Sequence, residues 1–100
     1  MAKRKGTGWR VSTESVQGEG SYVELRGVTV GESRAARAGE LDDDALIRAH
    51  VTGWNWVDDE GEPLPQVADE PDVVALLTAE EARVIVFRLF AGDPDFDPNS

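Results

Sequence analysis

Alternating apolar and polar positions near the start of the chain predict two β-strands. In residues 21–26, Val23 and Leu25 fall on one side of an extended chain, and Tyr, Glu and Arg residues fall on the other. This period of two, with β-branched and aromatic side chains, is typical of a strand. Residues 9–12 are a second short strand candidate, and the glycine-bearing residues 14–20 between them are typical of a turn. The pattern therefore predicts an N-terminal β-hairpin.

Helix signals follow the hairpin. Thr29 and Glu32 have the spacing of a capping box, in which each side chain accepts a hydrogen bond from the backbone N–H of the other residue. The helix that they begin is expected to end at Gly39, because glycine is common at helix carboxyl ends. A further helix is predicted to begin in the acidic run 42–44, since carboxylates stabilise the positive end of a helix dipole. Proline suits the first turn of a helix, so a short helix is predicted over residues 71–77.

A third strand is predicted in residues 54–57, with the indoles of Trp54 and Trp56 on the same face. An acidic turn over residues 58–62 follows it, and the prolines after the turn favour an extended path at a sheet edge. The elements together predict one α+β domain over residues 9–91. Its small antiparallel sheet would consist of the hairpin and the tryptophan strand, with three to four helices around it.

The two ends of the chain differ from this domain in composition. Residues 1–8 are basic and poor in large apolar side chains, and residues 92–100 combine proline with like charges. Such compositions cannot bury enough apolar surface to offset the entropy of ordering the chain. We therefore expect a flexible basic arm and a disordered acidic tail, both dispensable for folding.

The last predicted helix has more apolar residues than one core-facing stripe requires. A second capping box at residues 78–81 begins this helix, which is expected to run to about Ala91. A stripe that suffices to face the core consists of Ala82, Ile85, Val86 and Leu89. The remaining apolar side chains are Val84, Phe87 and Phe90. They indicate a surface for a partner protein or a second copy of the chain; the alternative is that the hairpin and the other helices cover both sides of the helix.

Two further features are candidates for partner contact. Of Trp54 and Trp56, one is expected in the core and the other is a candidate interface anchor, because tryptophan is common at binding hot spots. The acidic turn contains the carboxylates of Asp58, Asp59, Glu60 and Glu62. We expect these carboxylates at the rim of the binding surface, where they would steer a basic partner more than they add affinity.

The charge of the chain narrows the classes of partner. The formal net charge is −10 at pH 7, and residues 38–100 contain sixteen acidic residues against three arginines. This charge repels nucleic acid phosphates and anionic lipid. No stretch is long and apolar enough to span a membrane or to act as a signal peptide, and cysteine is absent. We expect a cytoplasmic protein that binds neither nucleic acid nor membranes.

Residue types that support catalysis or metal binding are few. His50 is the single histidine, and no pattern places a serine or threonine with it in a catalytic triad, so a structural role is expected. The acidic run 58–62 does not fit a calcium loop, because placing Gly61 at the sixth position puts Trp56 at the first ligand position. We expect neither catalytic residues, nor metal ligands, nor a cofactor.

The order of these elements resembles the small tail assembly chaperones of long-tailed bacteriophages. The resemblance covers about residues 20–91, and its central stretch is GWNWVDDEGEPLP at residues 53–65. The other segments that support it are residues 23–26, 28–32, 50–52 and 77–81. It implies a non-enzymatic protein of the host bacterial cytoplasm that binds the tape-measure protein, keeps that long hydrophobic helix soluble and recruits major tail-tube subunits during tail assembly.

Two other functions are compatible with the sequence. One is a structural protein of the virion, such as a head–tail connector or a tail-completion protein, which would be present in purified virions. The other is an acidic mimic of DNA, which would require carboxylates in a regular surface array. The acids here cluster at helix starts, in a turn and in the C-terminal tail, which argues against mimicry.

Overall fold

A three-stranded antiparallel sheet forms one side of the fold in the computed structural model, which describes residues 8–92. Its strands are β1 (Trp9–Ser12), β2 (Tyr22–Leu25) and β3 (Val51–Trp54), in the order β1-β2-β3. Val23 of the central strand pairs with Val11 on one side and with Trp54 on the other. All three side chains are buried, so the sheet presents its apolar face to the core as the alternation predicts.

The predicted hairpin of β1 and β2 is confirmed, but its connection is more ordered than the predicted turn. Residues Glu14–Gln17 form a single helical turn, α1. The turn forms because the carbonyl of Thr13 accepts hydrogen bonds from the backbone N–H groups of Val16 and Gln17 at 3.0 and 2.9 Å. The glycines come after it, and Gly18 has a φ of 95°, which permits the return into β2.

The helices begin where local capping predicts them. They are α2 (Val30–Arg37), α3 (Asp43–His50), a 3₁₀ helix (Pro71–Leu76) and α4 (Ala79–Ala91). Thr29 and Thr78 each head a complete capping box, with the third helical residue binding back to the cap. Asp42 caps α3 by accepting a hydrogen bond from the N–H of Ala45 at 2.8 Å. These caps satisfy N–H groups that no residue within the helix can reach.

The third strand lies earlier in the chain than the predicted residues 54–57. It runs from Val51 to Trp54 and follows α3 without an intervening loop. The ladder ends after Trp54 because the side chain of Asn55 replaces backbone pairing. Asn55 accepts from the N–H of Tyr22 at 2.9 Å and donates to the carbonyl of Gly20 at 3.0 Å. Beyond it, Val57 forms an isolated antiparallel bridge with Pro63.

The core lies between the sheet and the helices. Buried side chains come from all three strands, from α3, from α4 and from the 53–74 region that links them. Ile85 and Leu89 of α4 belong to this core, together with Leu46 and Ile47 of α3. The predicted α+β class, with a small antiparallel sheet and several helices, is confirmed. The predicted basic arm and acidic tail fall outside the described residues, apart from Gly8 and Gly92.

Candidate protein-binding surface

Both candidate tryptophans lie in the core. Trp54 is 4% exposed and Trp56 is 0% exposed, and their rings stack with centroids 4.9 Å apart. Each indole N–H has a partner, which makes the burial of a polar group tolerable. Trp54 donates to the carbonyl of Pro65 at 3.1 Å, and Trp56 donates to the hydroxyl of Thr13 at 2.9 Å. The expectation that one tryptophan anchors an interface is therefore wrong, since neither ring is accessible.

The helix α4 has one face in the core and an apolar face in solvent. Successive residues of an α-helix are rotated by about 100°, so Phe87 lies opposite the side that contains Ile85 and Leu89. Phe87 is 67% exposed and Phe90 is 49% exposed, whereas Ile85 and Leu89 are at most 3% exposed. Val84 is half-buried beside Phe87. Because Phe87 and Phe90 remain exposed, other elements do not cover both sides of the helix. We call Val84, Phe87 and Phe90 the α4 outer face.

A groove of about 480 Å³ runs along one edge of the α4 outer face. Its walls come from the end of β1, from α1 and from α4, with Val16, Val84 and Phe87 as its apolar lining. Arg83 and Arg88 stand at its edge, and neither makes an ion pair within the part of the chain that the structure describes.

The acidic turn lies beside the amino end of α4 and does not border the α4 outer face. Asp58 organises the turn by accepting hydrogen bonds from the N–H groups of Glu60 and Glu62 at 2.9 and 3.0 Å. Asp58 and Asp59 line a second groove, whereas Glu60 and Glu62 are exposed and line neither groove. The predicted acidic rim is therefore split, and only Asp58 and Asp59 adjoin an apolar recess.

Gln17 fixes the position of α1 against the rest of the fold, and no sequence pattern indicates this role. Its amide exchanges two hydrogen bonds with the backbone of Val57, at 2.9 and 3.1 Å. It also donates to the carboxylate of Glu81, which is 8% exposed and completes the capping box of α4. One side chain thus joins α1 to Val57, just before the acidic turn, and to the start of α4. Residues of α1 and α4 line both grooves, whereas the acidic turn lines only the second.

His50 has a structural environment. Its ring is fully buried, with Nδ1 2.7 Å from the carbonyl oxygen of Leu46 and Nε2 3.0 Å from Oε1 of Glu32. Both neighbours are acceptors, so only the doubly protonated ring donates to both. With both nitrogens engaged, the ring has no position from which to accept a substrate proton. The expectation of a structural histidine agrees with this geometry.

Glu32 is the electrostatic centre of that cluster. The hydrogen bond from the N–H of Thr29 is the largest of the effects that lower the pKa of the Glu32 carboxyl from 4.5 to about 2. The adjoining His50 also lowers this pKa, whereas burial acts in the opposite direction. Arg26 also binds the carboxylate, at 3.3 Å. Because the Glu32 carboxylate is ionised at neutral pH and its oxygens already have partners, we interpret it as a structural group that holds α2, α3 and the end of β2 together.

Within residues 8–92, no three acidic or histidine side chains are grouped so that they could hold a metal ion. Over the same residues, no helix has the length and apolar character needed to cross a membrane. Comparison with protein families, with curated proteins and with solved structures finds no match for this chain.

Proposed function

We propose that this chain is a non-enzymatic tail assembly chaperone of a long-tailed bacteriophage, which acts in the host cytoplasm by binding a helical segment of the tape-measure protein. The observation that supports binding is the α4 outer face, in which two phenylalanines are exposed on the side of a helix that faces away from the core. The identity of the partner comes from the resemblance of residues 20–91 to such chaperones. Recruitment of tail-tube subunits follows from the same resemblance.

The energetics of the α4 outer face suit a protein partner. Full burial of a phenylalanine contributes roughly 1.5–3 kcal/mol, and about two thirds of the Phe87 side chain is still in water. Aromatic side chains at the centre of an interface commonly dominate its affinity. An amphipathic helix laid into the groove beside Phe87 would cover Val84 and Val16 as well. Carboxylates on that helix would pair with Arg83 and Arg88.

The net charge supports the chaperone role in a second way. A complex between this chain and a hydrophobic helix retains the charge of −10, and like charges keep such complexes apart from one another.

The test is co-expression of the full chain with a tape-measure protein encoded in the same genome, followed by measurement of the soluble complex. Replacing Phe87 by serine is expected to remove most of the complex while leaving the melting temperature within a few degrees, because Phe87 contributes little to the core. The matched control is Val30→Ser, which removes from α2 an apolar side chain of similar exposure, 69% against 67% for Phe87. That control should leave the complex intact.

Two outcomes would contradict the proposal. Retention of the complex by the Phe87→Ser variant would show that the α4 outer face does not bind the tape-measure protein. Recovery of the chain from purified virions, in a fixed number of copies, would instead indicate a structural component of the particle.

A further inference from the structure

A second groove, of about 720 Å³, lies at the amino end of α4. It shares Val16 and Glu80 with the groove beside the α4 outer face and is otherwise lined by different residues. Its apolar lining consists of Val16, Val57, Pro63, Leu64, Pro65 and Leu76. Leu76, at the end of the 3₁₀ helix, is 69% exposed. A leucine this exposed beside a recess is available to a ligand at little cost to the core. We call this recess the acidic groove.

The charged residues of the acidic groove are all of one sign. Asp58, Asp59, Glu80 and Glu81 line it, and the described residues around it include no lysine, arginine or histidine. Both carboxylate oxygens of Glu81 are used internally, by Thr78 and Gln17. The other three carboxylates make no ion pair with any residue between 8 and 92. The apolar recess is therefore bordered by three carboxylates that no described cation pairs with.

The walls of the acidic groove are held by hydrogen bonds. Gln17 ties α1 to Val57 and to α4, and Asp58 closes the acidic turn. The N–H of Leu64 donates to the carbonyl of Trp56 at 2.9 Å, which anchors the proline-flanked stretch to the core. A site whose walls are already ordered loses less conformational entropy on binding than a flexible loop does.

We propose that the acidic groove is a docking site for a partner segment in which lysine or arginine residues alternate with apolar side chains of leucine size. The apolar side chains would contact Leu76 and Val16, and the cations would meet Asp59 and Glu80. This proposal goes beyond the function proposed above, because it concerns an adjoining groove that shares Val16 and Glu80 with the first but has the opposite charge preference from the edge with Arg83 and Arg88.

Charge complementarity selects this occupant among the alternatives. Nucleic acid is repelled by the carboxylates, and a second copy of the chain brings a further charge of −10. The chain's own arm, with Lys3, Arg4 and Lys5, has the right charge but no apolar side chain of leucine size between its cations. A segment of another protein that contains both basic and apolar residues matches the apolar recess and the carboxylates that border it.

The probe is a short synthetic peptide of alternating leucine and lysine with a fluorescent label, titrated with the full chain in an anisotropy assay. Two matched peptides have glutamate in place of lysine and serine in place of leucine. The first peptide is expected to bind about tenfold more tightly than either matched peptide, which corresponds to about 1.4 kcal/mol. Equal binding of the serine peptide would overturn the proposal, since it would show attraction to charge alone.

Variants of the chain locate the binding. Asp59→Asn with Glu80→Gln is expected to weaken binding of the leucine–lysine peptide about tenfold. Glu40→Gln with Asp43→Asn makes the same change of charge just before α3 and at its first residue, and is expected to have little effect. Asp58 is left in place because it holds the turn. Equal weakening by both pairs would overturn the proposal.

Leu76→Ser should also weaken the peptide, with Val30→Ser as its control, because both side chains are 69% exposed. Phe87→Ser should leave peptide binding unchanged, so failure of the function proposed above and failure of the docking site are distinguishable. A variant with glutamine in place of Lys3, Arg4 and Lys5 tests whether the N-terminal arm occupies the acidic groove. Tighter peptide binding by that variant would show that the arm occupies the groove, which would overturn the assignment to a partner.

Discussion

Replacing Glu32 by glutamine removes a charge from the best connected carboxylate of the described chain. Its oxygens accept from the N–H of Thr29 at 3.0 Å and from Arg26 at 3.3 Å, and Oε1 lies 3.0 Å from Nε2 of His50. The amide oxygen of glutamine retains the cap, but it accepts hydrogen bonds more weakly than a carboxylate does and has no charge to offset that of Arg26. The substitution therefore isolates the electrostatic part of the interaction.

The magnitude follows from the pKa of the Glu32 carboxyl, which the Thr29 hydrogen bond and His50 lower from 4.5 to about 2 against the opposing effect of burial. At about 1.4 kcal/mol per pKa unit, this difference corresponds to about 3 kcal/mol. The side chain is 24% exposed, so screening by water reduces the figure to roughly 2 kcal/mol. Because the pKa is lower in the folded chain than in the unfolded chain, this stability is fully present above pH 4.5 and is lost as the pH falls towards 2.

The assay is the free energy of unfolding by urea, measured for the natural chain and for Glu32→Gln between pH 7 and pH 2. The contributions of the other ionisable groups are common to both proteins, so the difference between the two proteins reports on Glu32. We expect a difference of roughly 2 kcal/mol at pH 7 that shrinks below pH 4.5. Asp44→Asn, at a carboxylate that is 54% exposed, should show a much smaller change. A difference that stays constant over the whole range would refute the reasoning.

Two further substitutions test hydrogen bonds that support the fold. Thr13→Val keeps the shape of a fully buried side chain but leaves the indole N–H of Trp56 without its acceptor. The free energy of unfolding in urea should therefore fall by about 1–3 kcal/mol. An unchanged free energy would show that another group accepts the hydrogen bond from this indole. Thr78→Ala removes the cap from α4 and should cost about 1 kcal/mol in thermal denaturation, whereas Thr78→Ser should retain most of the stability. Equal losses in both variants at Thr78 would contradict the capping role.

Features that depend on neighbouring residues were predictable from the sequence. The capping boxes at Thr29 and Thr78 involve residues three positions apart, so their spacing alone indicates where α2 and α4 begin. The alternation of Val23 and Leu25 similarly defined β2 and its buried face. The exposure of Phe87 followed from helical periodicity, because the core-facing stripe of α4 was already complete without it.

Features that depend on distant residues were not predictable. Asn55 ends the third strand by binding residues 33 and 35 positions earlier, and Gln17 joins segments that are 40 and 64 positions apart. Neither amide has a sequence pattern that identifies its partner. The burial of Trp54 depended likewise on an acceptor, the carbonyl of Pro65, that only the folded chain supplies. The acidic groove was missed because its walls come from four separate parts of the chain.

The parallel stack of Trp54 and Trp56 also gives the chain an optical signal of its own. The two indole rings are inclined by only 4° and are sealed in the core, so their electronic transitions are coupled in a geometry that exists only when the sheet and the 56–65 stretch are assembled. Neither ring lines the groove beside the α4 outer face or the acidic groove. Near-ultraviolet circular dichroism from this pair therefore reports on tertiary order in the core and does not depend directly on ligand occupancy at either surface.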